Sequence, residues 1–88
     1  MTSNSLQRFL NSDGQITQWP AKQRDKLLVL EYLADKFEAD KIYTELEINE
    51  VLKLWHTFMD WPLLRRGMVD MGLLSRDRSG REYHKVIS

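Results

Sequence analysis

The stretch Asp60 to Val86, DWPLLRRGMVDMGLLSRDRSGREYHKV, constrains this chain more than any other. Asp60 can accept hydrogen bonds from the free N–H groups of a helix start, and Pro62 suits a first turn because the N–H it lacks would have no helical partner there. Gly72, just past Met71, can take the left-handed conformation that ends a helix. Leu73 to Arg76 and Arg81 to Val86 then read as strands joined by the turn Asp77-Arg78-Ser79-Gly80. A four-residue turn there places Arg76 opposite Arg81 and Leu74 opposite Tyr83, with Leu74 and Tyr83 together on the core face. A short helix running directly into a hairpin is the distal half of a winged helix.

The residues upstream can supply the support for such a unit. Pro20 predicts the start of the longest helix, about Pro20 to Phe37, with Leu27, Leu30, Ala34 and Phe37 in one apolar stripe and Leu33 on its edge. Leu28 and Tyr32 fall on nearly the opposite side. A short helix carrying Leu6, Phe9 and Leu10, too small to be stable alone, is expected to cover them. Ile42-Tyr43 is β-favouring and can add a short third strand to the hairpin. Thr44-Glu45-Leu46-Glu47 is a capping box that starts a second helix, expected to end between His56 and Asp60, with Ile48, Val51, Leu52, Trp55 and Met59 on one face. In the third helix Leu64, Met68 and Met71 face inward, Pro62, Arg66 and Val69 outward, and Arg65 and Asp70 flank them. The fold class is α+β and winged-helix-like: three main helices plus a C-terminal β-hairpin, preceded by a small N-terminal helix. Residues 1–13 read as an arm and 14–88 as the domain.

Eighty-eight residues make one small core. Thirteen basic and thirteen acidic side chains cancel, which removes the overall positive field that drives nonspecific nucleic-acid binding. The balance is uneven, because from Asp60 onward six basic residues oppose four acidic ones, a net of +2. Between Glu31 and Glu50, by contrast, seven acids face only Lys36 and Lys41. Any duplex would therefore be gripped from one side. The absence of cysteine excludes disulfides, thiolate metal sites and a thiol nucleophile. No apolar run reaches membrane-spanning length and the first residues lack the regions of a signal peptide, so a soluble cytoplasmic protein without a membrane partner is expected.

Several boxes resemble a bacterial family, domain of unknown function 2087. They are Trp19, Pro20 and Lys22; Tyr43, Thr44, Glu45, Glu47 and Asn49; Asp60, Leu64, Arg65 and Arg66; and Leu74, Arg76, Gly80 and Tyr83. The resemblance runs from about Gly14 to Val86. It implies a domain found alone or behind helix-turn-helix domains of transcriptional regulators, and so a regulatory role. The chain departs from the family pattern at Gly67, where an acidic residue is expected, and at His84, where an aromatic is usual.

The candidate functional residues are cations. Arg65 and Arg66 on the third helix could bond guanine edges or phosphates. Arg76, Arg78, Arg81 and Lys85 lie along the hairpin, where a wing would follow a phosphate backbone. The competing reading ties the arginine pair to Glu45 and Glu47 as structural ion pairs and leaves the hairpin cations as a solvated edge. His56 and Asp60 are two possible metal ligands without a third in register, and no nucleophile and base stand at a useful spacing. No cofactor, metal or catalytic residue is expected. A non-catalytic regulatory module that binds double-stranded DNA is the first expectation. The alternative is a protein partner or homodimer, held by an exposed apolar pair, Leu63 and Val69, on the third helix.

Overall fold

The computed structural model describes residues 6–87. It contains α1 (Gln23–Ala34), β1 (Ile42–Thr44), α2 (Glu45–Leu54), α3 (Trp61–Asp70), β2 (Leu74–Arg76) and β3 (Glu82–Lys85). The strands form one antiparallel sheet in the order β1-β3-β2, so the anticipated third strand is present and pairs with β3 through Tyr43 and Tyr83. Helix, strand, two helices and a hairpin in this order give the α+β, winged-helix-like fold expected from the sequence.

Local chemistry sets the element ends. Thr44 Oγ1 accepts the Glu47 N–H at 3.1 Å while Glu47 Oε1 accepts the Thr44 N–H at 2.9 Å, closing the capping box reciprocally. Asp60 accepts the Leu63 N–H at 3.3 Å and caps α3. At the other end of α3 Gly72 has φ of +75°. That turn directs the Leu73 N–H to the Met68 carbonyl at 2.8 Å and the Gly72 N–H to the Val69 carbonyl at 3.1 Å. These two bonds satisfy carbonyls that the helix end leaves without partners.

One core holds the elements together. Leu30 and Leu33 from α1, Ile48 and Leu52 from α2, Leu64 and Met68 from α3, and Leu74 and Tyr83 from the hairpin are all buried. Gly67 lets α1 and α3 approach closely, since a Cβ there would stand 3.1 Å from Leu30 Cδ1 and 3.8 Å from the Trp19 ring. The acidic residue expected from the family pattern would carry its side chain into that apolar contact.

Several expectations are corrected. Helix α1 begins at Gln23 rather than Pro20, because Lys22 is extended and Pro20 is itself buried. Keeping residues 19–22 out of the helix lays Trp19 beside Gly67, between α1 and α3. Leu27 is consequently half in solvent, and Val29 takes the inward place assigned to it. Helix α2 stops at Leu54, and Trp55 is only partly buried. The cause is a pairing from far away in the chain: the Ile16 N–H bonds the Trp55 carbonyl at 2.8 Å and the Thr57 N–H bonds the Ile16 carbonyl at 3.0 Å. Met59, expected on the buried face of that helix, lies beyond it, exposed and with φ of +56°.

The hairpin register is corrected as well. Arg76 faces Tyr83 and Leu74 faces Lys85, two residues along from the expected pairing. The turn is Arg78–Arg81, closed by Asp77 N–H to the Glu82 carbonyl at 2.9 Å. A slip of two preserves the face of every side chain, so Leu74 and Tyr83 remain buried as anticipated.

The arm belongs to the same body. Phe9 and Ile16 join the core cluster, Tyr32 Oη donates to the Gly14 carbonyl at 2.7 Å, and Arg8 pairs with the buried Asp25 at 3.3 Å. Residues 6–17 therefore cover the side of α1 that carries Leu28 and Tyr32, as the apolar spacing of the arm suggested. Residues 1–5, where part of the short N-terminal helix was expected, fall outside the described residues.

A cationic groove between the third helix and the wing

Helix α3 and the hairpin enclose a groove of about 350 Å³ lined by Pro62, Arg65, Arg66, Val69 and Asp70 from the helix and by Arg76 and Tyr83 from the strands. The observed register is what brings Arg76 here. Opposite partners in an antiparallel pair share a face, so Arg76 stands beside Tyr83 and over the groove.

The two adjacent arginines have different surroundings. Arg65 is partly buried, hydrogen-bonded to the Asn49 side-chain oxygen, with its Nε 4.0 Å from Glu45 Oε1. Glu45 Oε1 also accepts from the Tyr83 hydroxyl at 3.2 Å. Glu45, Asn49, Arg65 and Tyr83 thus form one polar network at the base of the groove, tying α2, α3 and β3 together. This is the structural ion pair weighed in the sequence, and Glu45 rather than Glu47 is its carboxylate. Asn49 and Tyr83 were not anticipated as partners. Their place in the family boxes was the available signal.

Arg66 is exposed at the groove mouth. Arg78 lines an adjoining hollow with Val69, Gly72, Leu74, Ser75, Arg76, Asp77 and Val86, so Arg76 borders both concavities. Arg81 is exposed on the turn. Its backbone is held by Asp77, whose Oδ1 accepts the Arg81 N–H at 3.0 Å and the Glu82 N–H at 3.3 Å. The Ser79 hydroxyl donates to the same carboxylate at 2.9 Å. These bonds, Ser79 first among them, hold the Asp77 carboxyl below its ordinary value despite some opposing desolvation. Lys85 is not part of the groove. Its ammonium lies 3.9 Å from Asp35 at the C-terminal end of α1, where the helix dipole also favours a cation.

Leu63 and Val69 do not form the exposed apolar pair expected of them. Both are half-buried, and Val69 packs against the core cluster. The helix wheel placed Val69 outward without the hairpin that folds back over α3. Exposed apolar side chains lie instead at Leu46 and Leu54 on α2 and at Met59 after it.

His56, one of the two candidate metal ligands, uses both ring nitrogens on the backbone. Nδ1 lies 2.6 Å from the Leu52 carbonyl, and Nε2 accepts the Asp60 N–H at 3.0 Å. The first contact requires the proton on Nδ1 and the second requires a free lone pair on Nε2, so the ring serves as a clip between α2 and the start of α3. Among the described residues no group of three or more His, Cys, Asp or Glu side chains is placed to hold a metal ion, and no helix is long and apolar enough to cross a membrane.

The fold and groove define a small winged-helix-like domain with a cationic face between its third helix and its hairpin. The chain belongs to the family described as "Uncharacterized protein conserved in bacteria (DUF2087)", whose family model matches residues 15–85. No curated relative and no solved structure matches it.

Proposed function

We propose that this domain is a non-catalytic, transcription-related regulatory module that binds double-stranded DNA through α3 and the hairpin. The observation that carries the reading is the convergence of Arg65, Arg66 and Arg76 on one groove that adjoins a hollow bordered by Arg76 and Arg78. A groove of this kind suits a helix entering a major groove with the wing along the flanking phosphates. The acidic stretch from Glu31 to Glu50 is less opposed to this reading than its charge suggests, because Glu45 is paired with Arg65. Arg65 acts as a support and Arg66, Arg76, Arg78 and Arg81 as the contacts.

The test is a salt titration of binding to mixed-sequence duplex DNA. Affinity should fall steeply on a log-log plot. Arg66→Ala and Arg78→Ala should each weaken binding, and Arg78→Ala should make the slope shallower by about one unit for each phosphate contact removed, with thermal stability unchanged in both. A second reading, self-association or a protein partner, is favoured by the exposed Leu46, Leu54 and Met59. Under it, Leu54→Asp would turn an oligomer or complex into monomer in sedimentation, and the arginine variants would have no effect.

A further inference from the structure

Asp70 is the anomalous member of the groove. It is the last residue of α3, exposed, and lines the same cavity as Arg65, Arg66 and Arg76. A carboxylate at this point is locally disfavoured, because the negative end of the helix dipole repels it and the last turn of α3 carries no basic residue. Arg66 stands four residues earlier with the cation on the N-terminal side, the less favourable order for an ion pair along a helix. Among the described residues Asp70 makes no ion pair at all. On a surface that only gripped phosphates, this carboxylate would subtract from affinity and contribute nothing. An acceptor among guanidinium groups is useful if the ligand presents a hydrogen-bond donor beside its acceptors. Duplex DNA offers that combination in its major groove, where guanine shows O6 and N7 as acceptors and cytosine shows its N4 amine as a donor.

Spacing agrees with this division of labour. Pro62, Arg66 and Asp70 lie four apart in one row on the open side of α3, and all three are exposed. Four residues of helix rise about 6 Å, so the backbone positions of Arg66 and Asp70 stand about two base-pair steps of roughly 3.4 Å apart. Arg76 and Arg78 come from the hairpin and border the hollow beside α3, where the backbone would pass.

We propose that Asp70 is the specificity-determining residue of this surface, accepting a hydrogen bond from the exocyclic amine of a cytosine within two base pairs of a guanine held by Arg66. The proposal rests on the DNA reading above and goes beyond it by assigning base readout to one row of α3 and phosphate contacts to the hairpin.

The experiment is selection of duplexes from a randomised library by the full chain, followed by affinities at fixed salt for every single-base change in the best duplex. The wild type should prefer cytosine at one position by roughly tenfold or more, with a guanine preference one or two positions away. Asp70→Ala should flatten the cytosine preference alone, keep the other preferences and the salt slope, and strengthen binding to unrelated duplex because a repulsive charge is gone. Arg66→Ala should flatten the guanine preference. A selected duplex without the cytosine preference, or an Asp70→Ala profile identical to the wild type, overturns this proposal and leaves DNA binding standing. A uniform loss across all sequences together with a lowered melting temperature assigns Asp70 a structural role and also overturns it. Failure of the wild type to bind any duplex at low salt overturns both readings.

Discussion

At the scale of single residues, neighbours in the chain can differ wholly in what they do. Arg65 is bonded to Asn49 and sits beside Glu45 in a partly buried network, whereas Arg66 stands in solvent at the groove mouth. Arg65→Ala removes the charge-assisted hydrogen bond to Asn49 and the ion pair with Glu45. It should lower stability by about 1 to 2 kcal/mol, while Arg66→Ala should stay within about 0.5 kcal/mol, both read from denaturant unfolding. Asp77 gives a prediction in pH. Its folded-state carboxyl titrates below the ordinary aspartate value of 3.8, so the turn gains stability from the ionised form above that value and loses it as the pH falls through the lower, folded one. The amide resonances of Arg81 and Glu82 should titrate together with a midpoint below 3.8. In Asp77→Asn that acid-dependent movement should disappear.

At the scale of elements, caps were legible because each is a contract between residues three or four apart. Thr44→Ala should destabilise by about 1 kcal/mol, and the double variant with Glu47→Ala should fall short of the summed single losses. Additive losses measured by thermal unfolding would mean that the two bonds form independently. The hairpin faces were also readable, since alternation needs only parity, and parity survives a slip of two. The register itself was not readable. It depends on Asp77 gathering the Ser79 hydroxyl and the Arg81 and Glu82 amides around one carboxylate, which favours a turn of Arg78–Arg81 over the one centred on Asp77-Arg78-Ser79-Gly80. The misreading mattered for the site, because the observed pairing is what sets Arg76 beside Tyr83 at the groove.

At the scale of the whole molecule, the expectations that failed were those decided by residues distant in sequence. The end of α2 depends on Ile16, the start of α1 on Trp19 meeting Gly67, and the burial of Val69 on the hairpin returning over α3. None of these leaves a periodic trace. The candidate site was half legible: the cations of the third helix and hairpin were visible as a basic run. Which of them act as supports, and that Lys85 turns away to Asp35, required the fold.

Ile16 bonds through both its amide and its carbonyl to the segment between α2 and α3, and its side chain is fully buried. The arm is therefore a third wall of the joint that sets the pitch of α3, and that joint cannot open without releasing the arm. Native-state amide exchange makes the coupling measurable. The Ile16 and Thr57 amides, forty-one positions apart, should exchange with the same opening free energy and respond together to denaturant, as one cooperative unit. Ile16→Ala should then speed exchange at Thr57 while the Thr44 and Glu47 amides at the far end of α2 keep their protection. A pull on residues 6–17 would reach α3 through this joint, so the arm, far from the groove in sequence, helps aim the helix that lines it.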